Sequence, residues 1–363
     1  MRAIVLVGGF GTRLRPLTLT VPKNLVPVAG IPMIERVVAW LGSHGVDDVV
    51  LSLGYRPDAF FSAFPKGIAA GVPLTYVVEP EPLDTAGAVG FAAREAGIRE
   101  RFVVANGDVL TDIDLSEVIA RHGSTGAEAT ITLTPVKDPS RFGVVPTDDS
   151  GRVTAFIEKP PAGTAPTNLI NAGTYVLEPS VLDRIPASGP LSIERVVFPE
   201  LVAAGTLYAV ASDRYWLDVG LPDSYLQATY DLLDGTTRPG PPAPGAVRRP
   251  GGGWQMGAPI VEGDADVDEC SLLCDGAIVG PGTTVVASVV GPASRVAERV
   301  RLDGCVLLAG AIIGEGAVIE GSIVGPGAVV GAGAKITGGS VLGEGAVISP
   351  NDDVYARKVP DQS

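Results

Sequence analysis

The stretch Arg2-Ala3-Ile4-Val5-Leu6-Val7-Gly8-Gly9-Phe10-Gly11-Thr12-Arg13 sets the fold of the N-terminal half of the chain. Residues 2–7 are an unbroken apolar run that stops at glycine. That is the pattern of a strand buried on both faces of a parallel sheet, not of one that alternates between core and solvent. A glycine-rich turn directly after such a strand lets main-chain N–H groups close on an anion. The surroundings agree. The first 34 positions carry Arg2, Arg13, Arg15 and Lys23 but no Asp or Glu, in a chain whose formal net charge is −14. A cationic, glycine-rich start in an acidic protein predicts a local anion site.

Working outward, Pro32 opens a helical pattern with Ile34, Val37, Val38 and Leu41 on one face. Strands are expected at 49–53, 74–78 and 102–105, and helices at 85–96 and 115–121. Strands alternating with helices predict a parallel α/β sheet. From 129 to 176 strands dominate (129–133, 153–157 and 174–177), which makes the sheet as a whole mixed. Ser192 is placed to cap a helix running to Ala204. A strand at 207–211 and a helix at about 222–233 close this unit.

Residues 235–259 are rich in Pro and Gly, have no period and read as a linker. After them aliphatic residues recur at Ile260, Val267, Leu273 and Val279, and on through Leu302, Leu308, Ile313 and Ile319 to Ile348, mostly six apart. Gly follows several of them, as in Val279-Gly280-Pro281-Gly282 and Val324-Gly325-Pro326-Gly327. A six-residue aliphatic–Gly period predicts a parallel β-helix with three short strands per coil and about 18 residues per turn. The expected organisation is therefore α/β: a Rossmann-like domain with a mixed sheet over 1–234, a linker over 235–259, a left-handed parallel β-helix of hexapeptide repeats over 260–352 and a tail over 353–363.

Composition excludes several classes. Hydrophobic residues make up 46% and charged residues 19%, which describes a folded globular chain. The apolar runs are too short for a membrane span, which needs about 20 residues. The N-terminal run has no small-residue cleavage site, so no signal peptide is expected. Three cysteines, Cys270, Cys274 and Cys305, point to a reducing compartment and a cytoplasmic location. Cys270 and Cys274 have neither a second pair nor a neighbouring His, so zinc is not expected and all three are read as buried small residues. The acidic charge argues against nucleic-acid or membrane partners. His44 and His122, each just before Gly at a helix end, read as partners of the helix dipole without a catalytic role.

The glycine-rich loop is neither a Walker A loop, since no Gly-Lys-Ser/Thr follows, nor a Rossmann fingerprint, since Leu14 stands where a third Gly belongs. The longer string through Leu14-Arg15-Pro16-Leu17-Thr18, with Pro22-Lys23 and Pro27-Val28-Ala29-Gly30-Ile31-Pro32-Met33, resembles the signature of sugar-1-phosphate nucleotidyltransferases. The resemblance covers nearly the whole chain and is nearest to the bacterial mannose-1-phosphate guanylyltransferase branch. Asn106-Gly107-Asp108, Phe142-Gly143-Val144-Val145, Phe156-Ile157-Glu158-Lys159-Pro160, Ile170–Tyr175, Ser192-Ile193-Glu194 and Tyr215–Gly220 resemble its other motifs, and a C-terminal β-helix is a family feature. Three departures stand out: Asn24 where Pro is common, Asp84 where Gly is frequent, and Leu221 in place of a small or hydroxyl residue.

The resemblance implies transfer of a nucleotidyl group from a nucleoside triphosphate to a sugar-1-phosphate, with GTP and mannose-1-phosphate preferred and pyrophosphate released. It implies that Gly8, Gly9, Gly11 and Thr12 hold the triphosphate and that Arg13 and Lys23 are catalytic, Arg13 also contacting the nucleotide. Glu79, Asp84 and Gly87 fall on the nucleotide side, and Gly143, Glu158, Lys159 and Asn171 on the sugar-phosphate side. Asp108 and Asp218 hold Mg²⁺, a hard cation suited to two carboxylates plus phosphate oxygens. Local explanations compete. Asp108 could cap a turn, Asn171 could form one, Glu158–Lys159 could be an ordinary ion pair, and Glu79, Glu81 and Asp84 could cap the following helix instead of accepting from guanine. Self-association is assigned to the β-helix, whose coil ends leave open edges. The alternatives are a glucose-, heptose- or cyclitol-phosphate nucleotidyltransferase using another triphosphate, or a non-catalytic homologue that senses nucleotide sugars. A β-helix acyltransferase is disfavoured because no His lies beyond position 122.

Overall fold

The computed structural model describes residues 1–236 and 240–360; positions 237–239 of the expected linker and 361–363 of the expected tail lie outside the described residues. The chain divides into two compact units, one of residues 1–9 with 34–216 and the other of 10–33 with 217–363.

The first unit is built on a mixed sheet. Arg2–Leu6 lies parallel between Asp48–Leu53 and Phe102–Asn106, and Val72–Val78 continues the parallel set beyond Asp48–Leu53. Ile4 is in register with Val50 and Val104, and all three are buried. Leu169–Leu177 then pairs antiparallel with both Phe102–Asn106 and Ala129–Pro135, which carries Leu207–Ala211 parallel at its far side. Helices Asp84–Glu95 and Phe198–Ala204 bury their apolar faces against this sheet in one hydrophobic cluster. The expected strand at 153–157 is not continuous. Val153 makes a single bridge to Thr147, and only Ile157–Glu158 forms a strand, because the chain bends there to pair with Gly143–Val144. Ser192 caps as expected, accepting from Arg195 N–H, but the first turn, Ile193–Val197, is wound as a π-helix before the α-helix begins.

In the second unit three parallel sheets stack coil upon coil. From Trp254 onward successive strands pair parallel 17 or 18 residues apart, as in Ile260↔Ile278 and Ile278↔Arg295, and Val247–Arg248 adds one antiparallel strand at the start. The inward rows Val279, Val285, Val290 and their successors form a continuous aliphatic core. Two expected inward residues are displaced by one position. Ile260 is exposed, with Val261 packing inward, and Leu307 rather than Leu308 belongs to the core cluster. The ladder also extends past 260–352: Trp254–Gln255 pairs with Leu272–Leu273, and Lys358–Val359 with Val341–Leu342. The paired glycines divide two tasks. A Cβ on Gly280 would lie 2.8 Å from the carbonyl carbon of Ala297 in the next coil, whereas Gly282 is needed for its φ of +66°. Helix Pro222–Asp234 is fastened to the coils by Tyr230, whose hydroxyl donates to the Gly304 carbonyl. No helix among the described residues is long and apolar enough to cross a membrane.

All three cysteines are free. Cys274 and Cys305 are buried, and burial pushes both thiols up to about 12. Cys270, against expectation, is only half-buried.

His122 is more than a helix-end partner. It is buried in the last turn of Leu115–Thr125, with Nδ1 2.9 Å from Thr130 Oγ1 and Nε2 3.2 Å from Glu178 Oε1. Burial lowers its pKa from the ordinary 6.5, an effect Glu178 only partly offsets. Because the unfolded chain takes up a proton below about 6.5 and the folded chain resists it, this contribution is present above 6.5 and is lost as pH falls. The melting temperature is therefore expected to drop between pH 7 and pH 5. His122→Gln, compared by the same thermal scans, should show a shallower drop.

Candidate active site

In the first unit the glycine loop starts at the carboxyl edge of the parallel strands, where open α/β sheets bind ligands. Val7 N–H donates to Ser52 O and Gly107 N–H to Leu6 O, so Gly8 and Asn106-Gly107-Asp108 leave the sheet side by side. Asp108 is half-buried. Gly8 is hemmed in: a Cβ there would lie 3.2 Å from Glu79 Oε1 and 3.7 Å from Gly54 N. Glu79 accepts from Ser52 Oγ at 2.9 Å and from Leu83 N–H at 3.4 Å, so this carboxylate braces the turn beside the loop.

Asp84 explains its own departure from Gly. Its φ is +56°, a left-handed conformation that glycine adopts freely, and its Oδ1 accepts from Thr85 N–H at 2.8 Å. Local capping thus engages the Asp84 carboxylate. Gly87 is required by packing, since a Cβ would lie 2.9 Å from Gly189 O. Residues the sequence reading left out of the site hold this helix start in place. Glu194 Oε2 accepts from Thr85 Oγ1 at 2.7 Å and Ser192 Oγ at 2.8 Å, and Ala86 N–H donates to Leu191 O. The motif Ser192-Ile193-Glu194 was visible, but its coupling to Thr85 spans over a hundred residues.

Gly143, Glu158 and Lys159 come together. Gly143 is in antiparallel register with Glu158, Lys159 N–H donates to Phe142 O, and Lys159 Nζ pairs with Glu158 Oε1 at 3.2 Å. Lys159 is exposed at φ +48°. Asn171 sits at a bulge in Leu169–Leu177. Its Nδ2 donates to Tyr175 OH at 2.9 Å and its Oδ1 accepts from Gly173 N–H at 3.0 Å. Gly173 lacks a side chain where Asn106 Nδ2 occupies the space 2.5 Å from a would-be Cβ.

The second unit carries the remainder of the signature. Gly11 is left-handed and packs under the Lys23 stem and Thr18, whose hydroxyl donates to Gly11 O at 2.7 Å. Thr12 and Arg13 open a 3₁₀ turn and are exposed, while Lys23 is half-buried. Asn24 is wholly buried with no hydrogen-bond partner for its amide among the described residues, a cost of about 1–3 kcal/mol inside the signature. Gly220 brings Arg13 and Asp218 together: Arg13 Nη2 and Asp218 Oδ1 each lie 2.7 Å from where a Gly220 Cβ would stand. Among the described residues no group of three or more His, Cys, Asp or Glu could hold a metal.

The Nucleotidyl transferase family profile matches residues 2–235. The chain belongs to this family. The profile of the EIF2B subunit epsilon LbH domain matches residues 257–354 of the same nucleotidyl transferase chain. A mannose-1-phosphate guanylyltransferase of Mycobacterium tuberculosis is 40% identical over 84% of this chain and 79% of its own length. A probable mannose-1-phosphate guanylyltransferase 2 of Arabidopsis thaliana is 39% identical over 85% and 81%. Among solved structures, HddC from Yersinia pseudotuberculosis complexed with GMP-PN is 29% identical with a TM-score of 0.54, covering 63% of this chain and 97% of that one.

Gly220→Ala tests the close approach of Arg13 and Asp218 to Gly220 in this nucleotidyl transferase. Its backbone suits alanine, so unfolding free energy should change by no more than about 1 kcal/mol. The new methyl should displace the guanidinium and cut turnover at least about tenfold. Steady-state kinetics beside chemical denaturation checks both.

Proposed function

We propose that this chain is a mannose-1-phosphate guanylyltransferase, forming GDP-mannose and pyrophosphate from GTP and mannose-1-phosphate. The observation that carries the reading is the 40% identity with the mycobacterial enzyme, which runs through most of both chains. The GMP-PN complex of HddC, a more distant relative, supports a guanine nucleotide.

A sugar-phosphate oxygen attacks the α-phosphorus, forming one P–O bond as the α–β bridging P–O bond breaks, and pyrophosphate leaves with the electron pair. No covalent enzyme intermediate is required, because the sugar phosphate is itself the nucleophile. Catalysis is positioning and charge neutralisation. Main-chain N–H groups of Gly8, Gly9, Gly11 and Thr12 cradle the triphosphate. Arg13 neutralises charge building on the leaving pyrophosphate, and Lys23 lies toward the α-phosphate. Glu79 and Gly87 shape the nucleotide side. Asp84 fixes the start of helix Asp84–Glu95, and a carboxylate of the 79–84 turn accepts from guanine N1–H and N2. Lys159 grips the sugar phosphate, while Glu158, Asn171 and the Gly143 main chain read the sugar. Asp108 and Asp218 are the carboxylates we assign to Mg²⁺, which supplies polarisation of the α-phosphate when bound.

We assign self-association to the β-helix and a second copy of the chain as its partner. An outward ladder supports this: Ile260, Ile278, Ile312, Val329 and Val347 align down one sheet, interrupted by Arg295. A reducing, cytoplasmic setting fits three free cysteines, two of them with thiols that burial keeps protonated.

Pyrophosphate release measured for five nucleoside triphosphates against a panel of sugar-1-phosphates tests the assignment. Specificity constants should favour GTP at least about tenfold over ATP and dTTP, roughly 1.4 kcal/mol or one to two hydrogen bonds. A flat profile or a preference for dTTP overturns guanine while leaving nucleotidyl transfer standing. Asp108→Asn, nearly isosteric, should lose at least about 100-fold in turnover at saturating Mg²⁺ with unchanged thermal stability. Activity within a few-fold of the parent removes Asp108 from the site.

A further inference from the structure

One sheet of the β-helix is apolar on both faces. Leu273, Val290, Leu307, Val324 and Leu342 point into the coil core. Their neighbours Leu272, Val289, Val306, Ile323 and Val341 are stacked in register on the opposite face, yet they too are buried. Segment 10–33 and helix Pro222–Asp234 contact the coils along this unit. A Cβ on Gly30 would lie 3.1 Å from Leu272 Cδ2, and Tyr225, on the helix, donates to Pro27 O. At the far end, Gly343 meets Pro16, whose Cβ lies 3.0 Å from the position of a Gly343 Cβ.

The outward row continues one rung further, and there its chemistry changes. Val341 pairs with Lys358, so a lysine takes the position that the preceding coils give to an aliphatic residue. Lys358 Nζ donates to the main-chain carbonyl of Arg13 at 3.1 Å. The Arg13 side chain is separately confined at Gly220. The last coil thus holds the Arg13 main chain, while the guanidinium lies close against Gly220, near Asp218.

We propose that Lys358 is a positioning residue for nucleotidyl transfer: from the last coil of the β-helix it fixes the Arg13 main chain, and so sets the guanidinium before substrate arrives. The proposal rests on the reading of Arg13 as the group that neutralises the leaving pyrophosphate. Lys358 itself touches no reacting atom. Its effect is on the geometry of the turn Thr12–Leu14, and small misplacements of a catalytic cation are costly in rate rather than in affinity.

The test uses the full chain with Lys358→Met, Lys358→Arg, Lys335→Met and Arg13→Ala, assayed for pyrophosphate release with the best substrate pair from the specificity panel. Lys335 is an exposed lysine on a different sheet of the same β-helix. Lys358→Met should lower kcat about tenfold, with both KM values within about threefold and the melting temperature unchanged. Lys358→Arg, which keeps a donor of similar reach, should recover kcat to within about threefold of the parent, and Lys335→Met should match the parent. Parental kcat in Lys358→Met, beside a large loss in Arg13→Ala, overturns the positioning role alone. Equal losses in Lys358→Met and Lys358→Arg that track a lower melting temperature also overturn it, since the bond would then be only structural. Parental turnover in Arg13→Ala overturns the assignment of Arg13 and the proposal with it.

Discussion

Parallel pairing of Arg2–Leu6 on both of its edges is the constraint from which the site in the first unit follows. Parallel strands end at the same edge of a sheet, so what comes after each is delivered to one line. Gly8 after the first strand, Gly54 after one neighbour, Glu79 after the strand beyond that one, and Asp108 after the other neighbour all emerge there. Glu79 and Gly54 then close on Gly8 so tightly that a side chain at position 8 would press on the Glu79 carboxylate. The glycine loop is shaped by this crowding as much as by its own flexibility.

The β-helix obeys a different constraint, the fixed spacing between coils. Backbone of one coil lies directly against backbone of the next, which excludes even a methyl group at Gly280 or Gly314. Because the pitch is set by main-chain hydrogen bonds between successive coils, the aliphatic rows stay in register over the length of the domain. A stack of this regularity is a rigid object, and a rigid object is a good floor for the segment 10–33 that packs with it.

Much of this was legible in the sequence, and the failures have physical reasons. The apolar run 2–7 and the six-residue period announced both architectures because each is a local pattern. The one-residue displacements at Ile260 and Leu308 arose where two aliphatic residues stand together, Ile260-Val261 and Leu307-Leu308, so composition alone could not say which faced inward. The strand expected at 153–157 failed because a β-rich string carries no record of where its partner ends. His122 looked like a helix terminus from its neighbours, while its partners sit elsewhere in the sheet: Thr130 on the strand that follows the helix, and Glu178 just past the end of Leu169–Leu177. Asp84 shows the reverse: a residue that departed from the family pattern keeps the left-handed conformation that pattern exists to supply.

The path of the chain has a consequence for how such a protein could have been assembled. Residues 10–33, the heart of the N-terminal sequence signature, pack as one unit with the β-helix, although more than 180 residues separate the two in sequence. The apolar outer row beneath that segment and Lys358 at its end make the C-terminal coils part of the surface on which the signature is laid. A recombination event that exchanged this β-helix for another would strip the signature of its support unless residues 10–33 changed with it. Residues 10–33 and the β-helix are therefore bound to evolve as a pair, and grafting this β-helix onto a foreign nucleotidyl transferase requires importing residues 10–33 as well.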